Sequence, residues 1–159
     1  MSLNVHPATV HFPIAFLLLA SGAGLLHLYW RPLALLRTLT WWPMLLGWVG
    51  TLVAILTGLL AQSPLPPDVP YRSILNWHIS TGLALWVLHG LLLYWQWLLQ
   101  KKSKHRRTLV TAATPIDLLE LPAARLRLTL LLLVGIGLIL TSGWNGGQLV
   151  YTWGVNVTR

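Results

Sequence analysis

The sequence predicts an all-α integral membrane protein, a four-helix bundle that runs up-down-up-down with both termini outside. Of its 159 residues, 55% are hydrophobic and only 9% are charged, and the mean hydropathy is +0.66. A single small core cannot bury that much apolar surface in a chain of this length. We therefore expect the lipid bilayer to cover the remainder, which requires helices of about 20 apolar residues.

Four stretches are long enough to cross the hydrocarbon, and we expect one transmembrane domain over residues 1–159. The first span, residues 10–29, lacks the basic lead-in and cleavage site of a signal peptide, so it is predicted to be retained. The second, 41–61, opens with Trp-Trp-Pro, where a proline in the first turn is tolerated. The third, 77–99, ends in aromatic residues typical of a membrane interface. The fourth is 123–142.

The joins between the spans contain most of the polar residues. Prolines crowd residues 63–70, where they remove backbone donors and disfavour helix, so this join is predicted to be a stiff outer loop. The inner basic loop, 100–122, is the longest, and residues 115–121 are predicted to lie along the interface as a short amphipathic segment. Gly146 and Gly147, beyond the last span, are expected to make a turn.

Lysines and arginines predict the orientation. All but two of the eleven, Arg72 and Arg159, fall in the first and third joins or at the start of the fourth span, which adjoins the third join. Because basic residues flanking spans stay in the cytoplasm, both termini are predicted on the extracytoplasmic side of the inner (plasma) membrane. The same bias accounts for the net charge of +8. No basic patch with stacking aromatics remains to bind nucleic acid.

Two histidines that open spans form the candidate site. His11 opens the first span and His78 opens the third, and parallel helices of an up-down bundle would place them at similar depth near the outer surface. If neighbouring helices pack about 8–10 Å apart, diagonal helices lie roughly 12–14 Å apart. That spacing suits two imidazoles on one haem iron.

Helix periodicity predicts that both histidines face inward. At about 100° per residue, His11 shares a stripe with Ala15, and His78 shares one with Gly82, so small residues leave room for a flat ring. His89 lies on the His78 stripe about 16 Å deeper, where it either binds a second group or hydrogen-bonds across the bundle. Of the remaining histidines, His27 points away from the His11 stripe and His105 lies in the basic join.

Several classes of chemistry are excluded. Without cysteine there are no disulfides, thiolate metal sites or covalent c-type haem. The three acidic residues, Asp68, Asp117 and Glu120, lie outside the spans, so hydrolysis and carboxylate-coupled transport lack their usual groups.

A structural interpretation of the histidines competes with the functional one, because an interfacial imidazole can simply hydrogen-bond a loop carbonyl. The small residues at 47, 50, 54 and 58 are interpreted first as a helix-packing surface.

Two segments, HPATVHFPIA at residues 6–15 and GGQLVYTWGVNV at residues 146–157, resemble motifs of a bacterial family of predicted four-helix membrane proteins, a domain of unknown function. The resemblance covers nearly the whole chain, and the Asn-Trp-His sequence that opens the third span also fits. Members of this kind are fused to Rieske iron–sulfur or c-type cytochrome modules, which implies a redox setting compatible with a b-type haem. Many members have histidine where this chain has Trp153, so the resemblance favours the histidines at 6, 11 and 78.

Three hypotheses follow. The first is a b-type haem electron-transfer subunit, with His11 and His78 as the metal ligands and His6 or Trp153 beside them. The second is a non-catalytic accessory subunit of a larger membrane redox or photosynthetic complex, packed against other subunits, in which His89 ligates a chlorophyll-type pigment. The third is a divalent-metal site of the histidines at 6, 11 and 78. A chain with no cofactor stays open, and no independent enzymatic activity is expected.

Overall fold

The computed structural model describes residues 5–107 and 117–155. Within these ranges the chain is all-helical, without strands, and has a short leading helix followed by four long ones: α1 (Val5–Thr9), α2 (His11–Tyr29), α3 (Ala34–Gln62), α4 (Arg72–Arg107) and α5 (Arg125–Tyr151). All four long helices contain a stretch long and apolar enough to cross a membrane. The prediction of four candidate spans is therefore confirmed.

The second long helix begins earlier than predicted. α3 starts at Ala34, after Leu33 in extended conformation, so Pro43 lies inside the helix rather than in its first turn. Proline removes one intrahelical hydrogen bond, but membrane helices accommodate it because neighbouring groups satisfy the freed carbonyl. Pro43 is buried. The predicted span, 41–61, lies within α3, and only the expectation that Pro43 falls in the first turn of a helix was wrong.

The last two helices are also longer than predicted. α4 continues into the basic join as far as Arg107, and α5 continues through Gly146 and Gly147 to Tyr151. The predicted glycine turn is therefore wrong. The chain leaves helical geometry at Gly154, whose φ of 63° is one that glycine adopts without steric cost. Glycines are tolerated within membrane helices where another element approaches closely.

Small residues of α3 allow it to pack closely against α2. α2 packs mainly against α3, and α4 packs mainly against α5. A Cβ added at Gly47 would lie 2.7 Å from the Leu17 side chain, and one added at Gly50 would lie 3.4 Å from Pro13. At Gly47 an added side chain would force Leu17 to move, whereas the contact at Gly50 is at an ordinary van der Waals distance. The interpretation of this series as a packing surface is confirmed at these two positions.

The described part of the predicted amphipathic segment, residues 117–121, is tucked against the bundle. The Asp117 carboxylate accepts hydrogen bonds from Trp41 Nε1 at 3.1 Å and from the Leu119 amide at 2.9 Å. Gln96 Oε1 accepts from the Leu118 amide at 2.9 Å, and both leucines are buried. The segment is therefore packed into the core here rather than spread along the interface. Its first two predicted residues lie outside the described part of the chain.

Candidate histidine site

Two of the predicted site histidines lie side by side. His6 comes from α1 and His78 from the second turn of α4, and their ring centroids are 6.2 Å apart with an angle of 79° between the ring planes. Both side chains are half-buried. We call these two residues the histidine pair. They join the short leading helix to a helix far away in sequence.

A hydrogen bond to α5 fixes the protonation of His78. Its Nδ1 lies 2.9 Å from the carbonyl oxygen of Ser142. A carbonyl oxygen only accepts, so Nδ1 carries the proton and donates. Nε2 then holds a lone pair, and no hydrogen bond joins it to another described residue. A neutral imidazole in this form is a ligand with one free nitrogen.

A threonine of α3 contacts the His6 ring. The Thr57 hydroxyl donates to the carbonyl oxygens of Val53 and Ala54, each at 3.0 Å. The same oxygen lies 3.1 Å from His6 Nδ1 and 3.2 Å from the Thr9 hydroxyl, and the direction of the contact with His6 depends on the tautomer of the ring. The His6 ring also forms a hydrogen bond with the backbone of Ala54.

Glycines on α3 and α5 make room for the two rings. A Cβ added at Gly58 would lie 3.0 Å from Cε1 of His6, and one added at Gly146 would lie 3.0 Å from Cε1 of His78. Sequence reasoning assigned Gly58 to helix packing and Gly146 to a turn. It missed that each glycine seats an imidazole. The available signal was the i, i+4 spacing of Ser142 and Gly146 on one helical face.

His11 lies apart from the pair, contrary to the expected inward orientation. Its side chain is exposed, and within the described chain no hydrogen bond or ring contact engages it. The buried face of α2 includes Pro13, Leu17 and Gly24. At about 100° per residue this face lies roughly 150° from His11. The small residues that share the His11 stripe therefore do not mark the packed side of α2.

The remaining histidines do not join the pair. His89 is fully buried, and its Nδ1 donates to the Leu85 carbonyl of its own helix at 2.9 Å rather than across the bundle. Its Nε2 has no partner in the described chain and lies beside Gly135. His27 is buried and its Nδ1 contacts the Leu33 carbonyl oxygen at 3.2 Å. The side chain of His105 lies outside the described part of the chain.

The predicted neighbours of the site are only partly assembled. Trp153 packs against Tyr71, with ring centroids 5.8 Å apart, rather than against a histidine. In the described ranges, no group of three or more His, Cys, Asp or Glu side chains is placed to hold a metal ion. The three-histidine arrangement is therefore not formed, because His11 faces away. The structure brings two of the predicted histidines together, His6 and His78.

The fold and the site define a membrane protein with four candidate spans and a pair of half-buried imidazoles between helices. The model of the family described as "Predicted membrane protein (DUF2231)" matches residues 2–159, so the chain belongs to that family. This confirms the resemblance found in the sequence. No curated protein and no solved structure matches the chain.

Substituting the glycine that seats His78 is expected to disturb that ring alone. In Gly146→Ala the new methyl group would lie 3.0 Å from Cε1, so the ring must shift by a few tenths of an ångström while Nδ1 bonds the Ser142 carbonyl. Overpacking of this kind costs about 1–3 kcal/mol of stability. NMR of histidine labelled with ¹⁵N, in detergent micelles, should show displaced His78 resonances. Gly147→Ala is the matched control, since a Cβ there meets nothing within 4 Å. Equal displacement in both variants would contradict this geometry.

Proposed function

We propose that this protein is an electron-transfer subunit of the membrane in which His6 and His78 together bind one redox-active metal, the iron of a b-type haem. The observation that carries the proposal is the pair itself. Each ring has its Nδ1 within hydrogen-bonding distance of a fixed oxygen, and in the tautomer with the proton on Nδ1 each Nε2 would carry the lone pair. Histidines that bind metals almost always donate their other ring N–H to such a partner, which fixes the tautomer and raises ligand basicity.

The distance between the rings suits a shared metal. A bond between a metal and an imidazole nitrogen is about 2.0–2.1 Å, which places the centroids of two imidazoles on one ion roughly 5–6.5 Å apart. The observed separation of 6.2 Å lies in this range. His6 replaces His11 in the proposed ligand set, because it is the histidine whose ring contacts His78.

The number of ligands favours haem iron over a bare ion. Structural zinc takes four protein ligands and catalytic zinc takes three. Haem iron receives four nitrogens from its porphyrin and needs only axial ligands from the protein, such as histidine. A haem supplies one-electron chemistry when bound. The chain's contribution is to orient the two rings through Ser142 and Thr57, and hydrogen bonding of this kind tunes a reduction potential.

We also propose that the helices alternate in direction and that the histidine pair lies on the extracytoplasmic side. Around the pair, residues near the starts of α1 and α4 contact residues near the ends of α3 and α5. Elsewhere, Arg37 of α3 pairs with Glu120 at 3.1 Å, and Tyr29 contacts Thr129 at 2.8 Å. Nearly all basic residues lie at the end of the bundle that contains these two contacts. The positive-inside rule therefore assigns this end to the cytoplasm and both termini to the outside.

Removing either member of the histidine pair is expected to abolish haem binding. Wild-type protein expressed with added haem and purified in detergent should show a Soret band and bound iron. His6→Ala and His78→Ala should each lose both signals. His11→Ala is the matched control and should retain them, since its side chain is exposed and outside the pair.

Other results of the same measurement would overturn the proposal. Retention of the full spectrum in His6→Ala, or its loss in His11→Ala, would assign the ligands differently. Copper or zinc without haem absorption would favour the divalent-metal alternative. Protein without any metal that co-purifies with other membrane subunits would favour the accessory role, and an extracted chlorophyll-type pigment would favour its pigment-binding form.

The proposed orientation is testable because the chain has no cysteine. Ser63→Cys and Lys101→Cys each introduce one thiol at an exposed position, on opposite sides of the bilayer in the proposed topology. A maleimide that cannot cross membranes should label Ser63→Cys in intact cells and should label Lys101→Cys only after the membrane is permeabilised. The reverse pattern would place the histidine pair on the cytoplasmic side.

A further inference from the structure

A groove between α2 and α5 lies beside the histidine pair. It has a volume of about 580 Å³, and its lining includes Ile14 and Leu18 of α2 and a longer strip of α5 that runs from Ile139 to Thr152. We call it the α2–α5 groove. The groove opens to the side of the bundle, and in a membrane-spanning chain that side faces lipid.

Glycines give the groove a flat floor. Gly143 and Gly147 both line it, and they lie one turn apart on the same face of α5. A Cβ added at either position would meet nothing within 4 Å, so the space above them is open. Leu140 and Trp144 form the apolar wall of the groove on the α5 side. A strip without side chains between apolar walls accommodates a flat ring.

The polar groups of the groove lie toward one end. Gln148 is half-buried, and its side-chain amide makes no hydrogen bond to another described residue. Thr152 follows one turn later, whereas Ile139 and Leu140 line the region about 12 Å deeper along the helix. The groove thus combines a hydrogen-bonding end with an apolar remainder, as ligand sites commonly do.

The charge of the lining distinguishes between two membrane ligands. All the described side chains that line the groove are uncharged. A phospholipid headgroup carries a phosphate, which proteins bind with Arg, Lys or a helix amino end. A quinone headgroup is neutral and flat and offers two carbonyl oxygens, one of which can accept a hydrogen bond from the Gln148 amide.

The α5 segment that lines the groove also holds His78. Ser142 and Gly146 contact the His78 ring, and the residues that follow each of them, Gly143 and Gly147, line the groove. A helix with its side chains is about 10–12 Å across. A ring seated on the glycine floor therefore lies within about one helix diameter of the histidine pair.

We propose that the α2–α5 groove binds a lipid-soluble quinone, with its ring on Gly143 and Gly147, one carbonyl accepting from the Gln148 amide, and its isoprenoid tail along the apolar part. The role of this quinone as a redox partner of the metal rests on the proposed function. Its binding rests only on the shape, polarity and charge of the groove. The two claims are therefore separable.

Binding of decylubiquinone to the purified full chain in detergent tests the proposal. Gly147→Leu fills the floor and Gln148→Leu removes the donor, so each should weaken the affinity about tenfold or more. Gly137→Leu is the matched control, because Gly137 also faces open space on α5 but does not line the groove. It should bind like the wild type. Size-exclusion profiles check that each variant is folded, and the Gln148→Leu result stands if Gly147→Leu is not.

His78→Ala separates the two proposals. This variant should lose the metal and still bind decylubiquinone. If the haem assignment fails, the measurement of quinone binding is unaffected. Wild-type protein that binds no more quinone than empty micelles would overturn the inference, as would equal affinity in Gly147→Leu and the wild type. Phospholipid that is retained by the wild type, lost from Gly147→Leu and not displaced by quinone would overturn it in favour of a lipid site.

Discussion

The hydrogen bond from His78 Nδ1 to the Ser142 carbonyl is the interaction on which the site depends. It ties α4 to α5 at 2.9 Å and leaves Nε2 free. The ring can approach α5 closely only because position 146 has no side chain. α5 must also remain helical beyond residue 142, since the Ser142 carbonyl and Gly146 have to share a face. The contact therefore explains why a glycine-rich segment that resembles a turn is helical.

The general architecture could be predicted from the sequence because lipid imposes simple requirements. A span needs about 20 apolar residues with its backbone groups paired internally, so hydropathy finds the four helices. Helix ends are less predictable, since they depend on tertiary contacts. Pro43 is accommodated inside α3, and Gly146 is kept helical by packing against His78. Local propensity predicts a boundary at both positions.

The candidate site was only partly predictable for a related reason. The periodicity and depth of His78 identified it correctly as a residue that faces another helix. The same periodicity assigned His11 as its partner, because small residues were used to find the packed face of α2. That face is instead formed by Pro13, Leu17 and a different set of small residues that includes Ala20 and Gly24, and His6 on α1 reaches His78. A separate short helix before the first span could not be predicted from an apolar stretch.

Both proposed ligands meet on one segment of α5, with the histidine pair on one side and the α2–α5 groove on the other. The central claim is that one iron is bound by His6 and His78 together. Electron paramagnetic resonance of the oxidised protein tests this most directly. We expect a low-spin ferric signal typical of two imidazole ligands, and its replacement by a high-spin signal or its loss in His6→Ala. An unchanged low-spin signal in that variant would contradict the account.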